Sequence, residues 1–118
     1  MNRGDSEAIL ESLTEDVEWK RVDGLPDGGG VLHGREAVRE FLKPDVFAAE
    51  RFEALELVEG EDVIMVRGVF RATGVASGIV LDVEACTVYK LNDEGLAWRV
   101  ENWNDRADAE RSAGLRFA

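Results

Sequence analysis

The chain has one cysteine, one histidine, one tyrosine and two prolines among its 118 residues. A lone Cys86 excludes an intrachain disulfide, and with His33 the only imidazole no cluster has zinc-ligand spacing, so no metal is expected. No run of 18 apolar residues occurs. The opening Met1-Asn2-Arg3-Gly4-Asp5 lacks the apolar segment of a signal peptide. Export and membrane partners are therefore not expected, and the cytoplasm is the expected compartment. Cations are also scarce: 14 Lys and Arg against 25 Asp and Glu give a net charge of -11. Such a surface repels phosphate backbones, so nucleic acid is not an expected partner. Gly28-Gly29-Gly30 invites a phosphate-loop reading but leads into Val31-Leu32-His33-Gly34, without the Lys-Ser or Lys-Thr that such a loop needs. No cofactor is expected.

What is present is ordinary globular composition, 45% hydrophobic and 33% charged, and residues 1–118 are read as a single domain. The organising stretch is residues 63–104, which reads as three long antiparallel strands over 63–71, 78–91 and 96–104. Their turns fall at 72–77, which contains Gly74, and at Asn92-Asp93-Glu94-Gly95. Before it, Asp5 or Ser6 caps a predicted helix to about residue 13, with Ile9, Leu10 and Leu13 on one face. A strand over 16–21 follows, with Val17, Trp19 and Arg21 on one side, and then a loop over 22–30. The spacing of Ala37, Val38, Phe41 and Leu42 predicts an amphipathic helix over 35–42 that Lys43-Pro44 ends. Another helical turn is expected over 45–50 and a strand over 52–59. Last comes a short helix over 106–112, capped by Asp105 and stopped by Gly114. Helices segregated to one side of an antiparallel sheet make an α+β fold.

Placed in this order, the chain resembles the NTF2-like superfamily, and within it the SnoaL-like and ketosteroid-isomerase-like proteins. The resemblance rests on Leu13-Thr14-Glu15-Asp16-Val17-Glu18-Trp19, on His33-Gly34-Arg35-Glu36-Ala37-Val38-Arg39-Glu40-Phe41-Leu42 and on Glu101-Asn102-Trp103-Asn104-Asp105-Arg106-Ala107-Asp108. The turn at 74–78 and Ser112-Ala113-Gly114-Leu115 add to it. It implies a cone-shaped, curved antiparallel sheet of cystatin-like topology wrapped around short helices. It further implies a central pocket for a small apolar molecule, and a homodimer formed through the outer sheet face. The first helix is short against the family's, so the tyrosine that isomerases carry there has no counterpart.

Strand alternation puts Val83, Ala85, Thr87, Tyr89 and Leu91 on one face of the second long strand, and Trp98, Val100, Asn102 and Asn104 on one face of the third. These less charged sets are the expected pocket faces. By resemblance, Arg21 stands where the isomerases keep their basic carboxylate, and Thr87 where they keep a protonated aspartate. Arg67 matches the arginine of limonene-type epoxide hydrolases, but Val69 and Asn102 replace their two aspartates. Neither chemistry is therefore complete. The candidate catalytic residues are His33, Arg21 and Asn102, with His33 read either as an acid–base group at the pocket mouth or as a residue fixing the Gly34 turn. Trp19, Arg67, Thr87, Tyr89, Trp98 and Asn104 are the candidate substrate-binding residues. Arg67 has the plainer alternative of an ion pair with a strand neighbour, and the tryptophans that of core. Trp103, beside Arg99 and Glu101, is the candidate dimer contact. Two functions stay open: a proton-transfer isomerase or cyclase acting on a small apolar carbonyl compound, or a non-catalytic binding or interaction module.

Overall fold

The computed structural model describes residues 3–21, 30–41, 47–74, 78 and 80–117. Among them the chain runs α1 (Arg3–Glu11), β1 (Leu13–Lys20), β2 (Val31–His33), α2 (Arg35–Phe41), β3 (Phe47–Glu59), β4 (Val63–Gly74), β5 (Val80–Leu91), β6 (Ala97–Trp103) and α3 (Arg106–Ala113). The strands form one sheet in the order β2-β1-β6-β5-β4-β3. Every neighbouring pair is antiparallel except β1 with β6, which is parallel, so the α+β fold rests on a mixed sheet.

Local chemistry sets the boundaries. α1 ends at Glu11, two residues before residue 13, where both the N–H and the hydroxyl of Ser12 donate to the Ile9 carbonyl, at 3.0 and 2.6 Å. Leu13, expected on the helix face, instead opens β1 and is fully buried. β2 falls where a loop was expected to run straight into the helix, since three residues are too few to show alternation. Gly34 separates β2 from α2 at φ 91, a left-handed conformation that glycine adopts without strain, and its N–H donates to the Val17 carbonyl at 2.8 Å. From Phe47 the chain is strand rather than the helical turn expected over 45–50, because Phe47 to Glu59 find partners in β4 from Gly74 to Ile64. A non-local ladder overrides the local helix preference of Ala48-Ala49-Glu50. Residues 22–29 of the loop expected over 22–30, Leu42, and residues 75–77 of the turn expected over 72–77 lie outside the described residues, while 72–74 continue β4 through their pairing with β3 and β5.

The sheet has an apolar cluster on each face. On the inner face Val17 and Trp19 of β1 and Ala97 and Val100 of β6 pack with Leu10 of α1 and Val38 of α2. On the outer face Met65 of β4 and Cys86 and Val88 of β5 pack with Ala109 of α3 and with Phe117. Side chains of this size stabilise by roughly 1.5–3 kcal/mol each on full burial. α1 and α2 thus lie to one side, as anticipated, whereas α3 covers the other side and occupies part of the outer face from which a dimer was expected to form. Lys20 and Trp103 also close over that face, the ammonium 3.9 Å from the ring centroid. Among the described residues no helix is long and apolar enough to cross a membrane.

α3 is capped at both ends. Asp105 accepts a hydrogen bond from the Ala107 N–H at 2.7 Å, and Gly114, at φ 70, returns its N–H to the Glu110 carbonyl. Asp105→Ala removes the N-terminal acceptor and is expected to lower stability by about 1 kcal/mol. A parallel shift of the urea midpoint, with an unchanged slope, is the result that checks it.

Candidate functional site

Register places Leu32, Trp19, Val100, Tyr89 and Ile64 in one lateral row across β2, β1, β6, β5 and β4. They face α1 and α2. At one end of this inner face, between α1 and the strands, lies a cavity of about 360 Å³. Its walls are Ala8, Ile9 and Ser12 from the α1 side, Ile64, Tyr89 and Leu91 from β4 and β5, Gly95 from the turn, and Ala97 from β6. The volume lies near the lower end of the range for small-molecule sites, and Ser12 and Tyr89 are the lining residues with polar side chains. The Ser12 hydroxyl is committed as donor to the Ile9 carbonyl. The Tyr89 hydroxyl makes no hydrogen bond among the described residues. A tyrosine is a protonated donor at neutral pH in any case, and burial pushes the Tyr89 phenol further up.

One step along the same face, Thr87 and Asn102 are direct cross-strand partners. The Thr87 hydroxyl donates to Asn102 Oδ1 at 3.0 Å, and Asn102 Nδ2 donates to the Lys20 carbonyl at 2.9 Å. The pair knits β5, β6 and β1 together. Arg21, just past β1, holds its guanidinium 4.8 Å from the Phe41 ring centroid, and that ring lies 6.5 Å from Trp19. Phe41, expected to face inward at the end of α2, remains 41% exposed beneath this cation. Trp19, Thr87, Tyr89, Asn102 and Arg21 therefore share the inner side, and of these Tyr89 lines the cavity.

The other candidates are elsewhere. His33 pairs in register with Glu18, so it points away from the row containing Leu32 and Trp19. Its side chain is 73% exposed, with Nδ1 3.9 Å from a Glu18 carboxylate oxygen. The backbone bond of Gly34 and its glycine conformation hold the turn that follows. Arg67 pairs in register with Cys86, which belongs to the outer cluster, so it faces outward. There it donates to Glu56 at 2.9 and 2.5 Å and to Glu84 at 3.2 Å, the strand-neighbour ion pair of the plainer reading. Trp98 sits in a bulge, where Lys90 pairs with Arg99 and Leu91 with Ala97, and it is 43% exposed. Asn104 is exposed beyond the end of β6.

Sequence reasoning missed the most heavily bonded side chain of the outer face. Glu101, only 4% exposed, accepts hydrogen bonds from Arg99 Nε at 2.7 Å, Trp103 Nε1 at 3.4 Å and the Ser112 hydroxyl of α3. Lys90 Nζ approaches to 3.7 Å. Arg99 also reaches Glu18 at 3.2 Å, extending the network to β1. Burial alone would raise the Glu101 carboxyl. The hydrogen bonds from Arg99 and Ser112 and the charges of Lys90 and Arg99 outweigh it and hold the group below the usual range. Alternation puts Glu101 on the face it shares with Arg99, Lys90, Cys86, Val88 and Trp103, and nothing in that mixed pattern singles it out as the buried charge. Trp103, offered as a dimer contact, is engaged within this arrangement. Among the described residues no three His, Cys, Asp or Glu side chains gather as a metal would require.

With this geometry in hand, comparison with known proteins identifies the class. The model of the SnoaL-like domain matches residues 1–100, and the chain belongs to that family. Among solved structures it is similar to an NTF2-like protein of unknown function from Burkholderia pseudomallei K96243. That similarity is 30% identity over 92% of this chain and 85% of that one, with a TM-score of 0.77. It is also similar to TerC, co-crystallised with polyporic acid: 26% identity, 92% and 85% coverage, TM-score 0.73. A third is SalBIII, described as an epoxide hydrolase/cyclase-like enzyme with a role in pyran ring formation in the polyether salinomycin: 25% identity, 85% and 78% coverage, TM-score 0.70. Among curated proteins none matches.

The direction of the Glu101 shift fixes a pH dependence. A carboxyl bound more weakly by protons in the folded than in the unfolded state contributes stability above its unfolded value, about 4.3. That contribution is lost as pH falls through the lower, folded value. Glu101→Gln is expected to cost roughly 1–3 kcal/mol at neutral pH, and to lose less of its remaining stability on acidification below about pH 4.3 than the parent does. Urea titrations of both proteins at a series of pH values measure the difference.

Proposed function

We propose that this SnoaL-like domain binds a small, mostly apolar carbonyl compound in the cavity between α1 and the sheet, with Tyr89 donating its hydroxyl hydrogen to the carbonyl oxygen. The observation that carries this reading is the place of Tyr89: a phenol donor among the residues lining an otherwise apolar cavity, without a hydrogen bond among the described residues. A donor in such a place gains little from the protein and is available to a ligand acceptor. The apolar walls supply the remaining affinity by removing ligand surface from water. TerC, the relative co-crystallised with polyporic acid, adds support for a small-molecule ligand.

The likeness to a cyclase-like enzyme favours a second reading, in which the same phenol acts as the acid of a proton-transfer reaction. That reaction needs a base within reach of the substrate. Among the described residues the cavity lining offers no carboxylate or imidazole, and His33 lies on the outer side. Binding is therefore the reading preferred here, with turnover as an outcome to be measured.

A thermal-shift screen of small ketones and aromatic carbonyl compounds, followed by calorimetry on the best binder, tests both. Tyr89→Phe keeps the ring and removes the donor, and is expected to weaken binding about three- to tenfold. His33→Ala and Arg67→Ala are expected to leave affinity unchanged, because neither side chain faces the cavity. An affinity indifferent to Tyr89→Phe would overturn the assignment of the donor. Turnover of the bound compound that disappears in Tyr89→Phe would move the conclusion to the enzymatic reading.

A further inference from the structure

Two of the residues lining the cavity carry hydroxyls with opposite hydrogen-bonding roles, and this narrows the class of ligand. At Ser12, exposed at the cavity rim, the hydroxyl hydrogen is committed to the Ile9 carbonyl at 2.6 Å, so the oxygen offers only lone pairs to water or to a ligand in the cavity. At Tyr89 the protonated phenol offers its hydrogen. One wall thus accepts and the other donates. The Ser12 carbonyl is tied to the Ala97 N–H at 2.8 Å, and Ala97 pairs in register with Leu91, which fixes Ser12 beside that end of β5. Tyr89 stands two residues further along the same face, a distance of roughly 7 Å along a strand. The two hydroxyl-bearing residues thus enter the lining from different elements, Ser12 from the end of α1 and Tyr89 from β5.

We infer that the site is built for an uncharged hydroxy-carbonyl compound, whose carbonyl accepts from Tyr89 and whose hydroxyl, on the far side of an apolar body, donates to Ser12. A plain ketone leaves the Ser12 oxygen unused, and an alcohol without a carbonyl leaves Tyr89 unused. A carboxylate finds no cation among the lining residues of a chain carrying a net charge of -11. Ser12 is a specificity-determining residue in this scheme, and the inference rests on the cavity being the binding site.

Acetophenone, 4-hydroxyacetophenone and 4-ethylphenol are close in size and differ in which polar ends they present. Two-dimensional NMR titrations report both affinity and location, through the amides of Ile64, Tyr89, Leu91 and Ala97. The parent protein is expected to bind 4-hydroxyacetophenone about three- to tenfold more tightly than either of the others, the worth of one added hydrogen bond. In Ser12→Ala the advantage over acetophenone is expected to vanish while acetophenone itself binds as before. In Tyr89→Phe the advantage over 4-ethylphenol is expected to vanish instead. Equal binding of all three compounds by the parent, or an advantage that survives Ser12→Ala, overturns the inference and leaves ligand binding in the cavity standing. Failure of all three to perturb those amides overturns both.

Discussion

Along β5 and β6 each side chain can serve only one of two helix layers. The strands are covered on both faces, so the alternation that sends Tyr89 towards α1 also sends Val88 and Lys90 towards the opposite side, and a register slip of one residue would exchange a cavity wall for a charged network. Everything else in the molecule follows this division. α1 and α2 can lie where they do because Val17, Trp19 and Val100 point to them, and α3 because Met65, Cys86 and Val88 do. The outer charges are sorted by the same rule: Arg67 meets Glu56 and Glu84 and Arg99 meets Glu18 across neighbouring strands, while Arg99 also meets Glu101 two residues along its own strand.

The long strands and the last helix were legible because each carries a strong local signal. Alternation over more than ten residues marks β5, and Asp105 with Gly114 brackets α3. The inner set on β5, with Thr87, Tyr89 and Leu91 together, was equally readable from period two. What escaped was whatever depends on partners far along the chain. β2 is too short to announce itself and exists because β1 offers it an edge. β3 starts at Phe47, within a stretch whose alanines and glutamate read as helix, because β4 is long enough to hold it.

The site shows the same split between local and distant information. Alternation identified Tyr89, but no pattern could show that Ser12 comes to lie beside Ala97, since that contact joins the end of the first helix to the start of the sixth strand. His33 drew attention as the only imidazole, and residue type alone says nothing of which side of the sheet a side chain takes. Arg67 drew attention through resemblance, and its two glutamate neighbours show how an arginine can be fully occupied as an ion-pair partner within a sheet. Trp98 needed knowledge of a bulge, which shifts one strand against its neighbour by a single residue and is invisible before the pairing is known.

The parallel pairing of β1 with β6 has a consequence for how the molecule comes into being. Trp19 waits for Val100 and Lys20 for Glu101, so an early strand cannot take its place until a late one has left the ribosome. Contacts of such sequence separation slow folding, because the intervening loop must close before they give any return. Until β6 is made, Leu10, Leu13, Val17 and Trp19 have Val38 and Leu32 but lack Ala97 and Val100, although a meander of β3, β4 and β5 can already assemble. The cavity, drawn from residues 8–12 and 64–97, is thus among the last features to exist in a newly made chain. Small molecules that stabilise the finished fold act after that point, on the closing of the sheet rather than on its beginning.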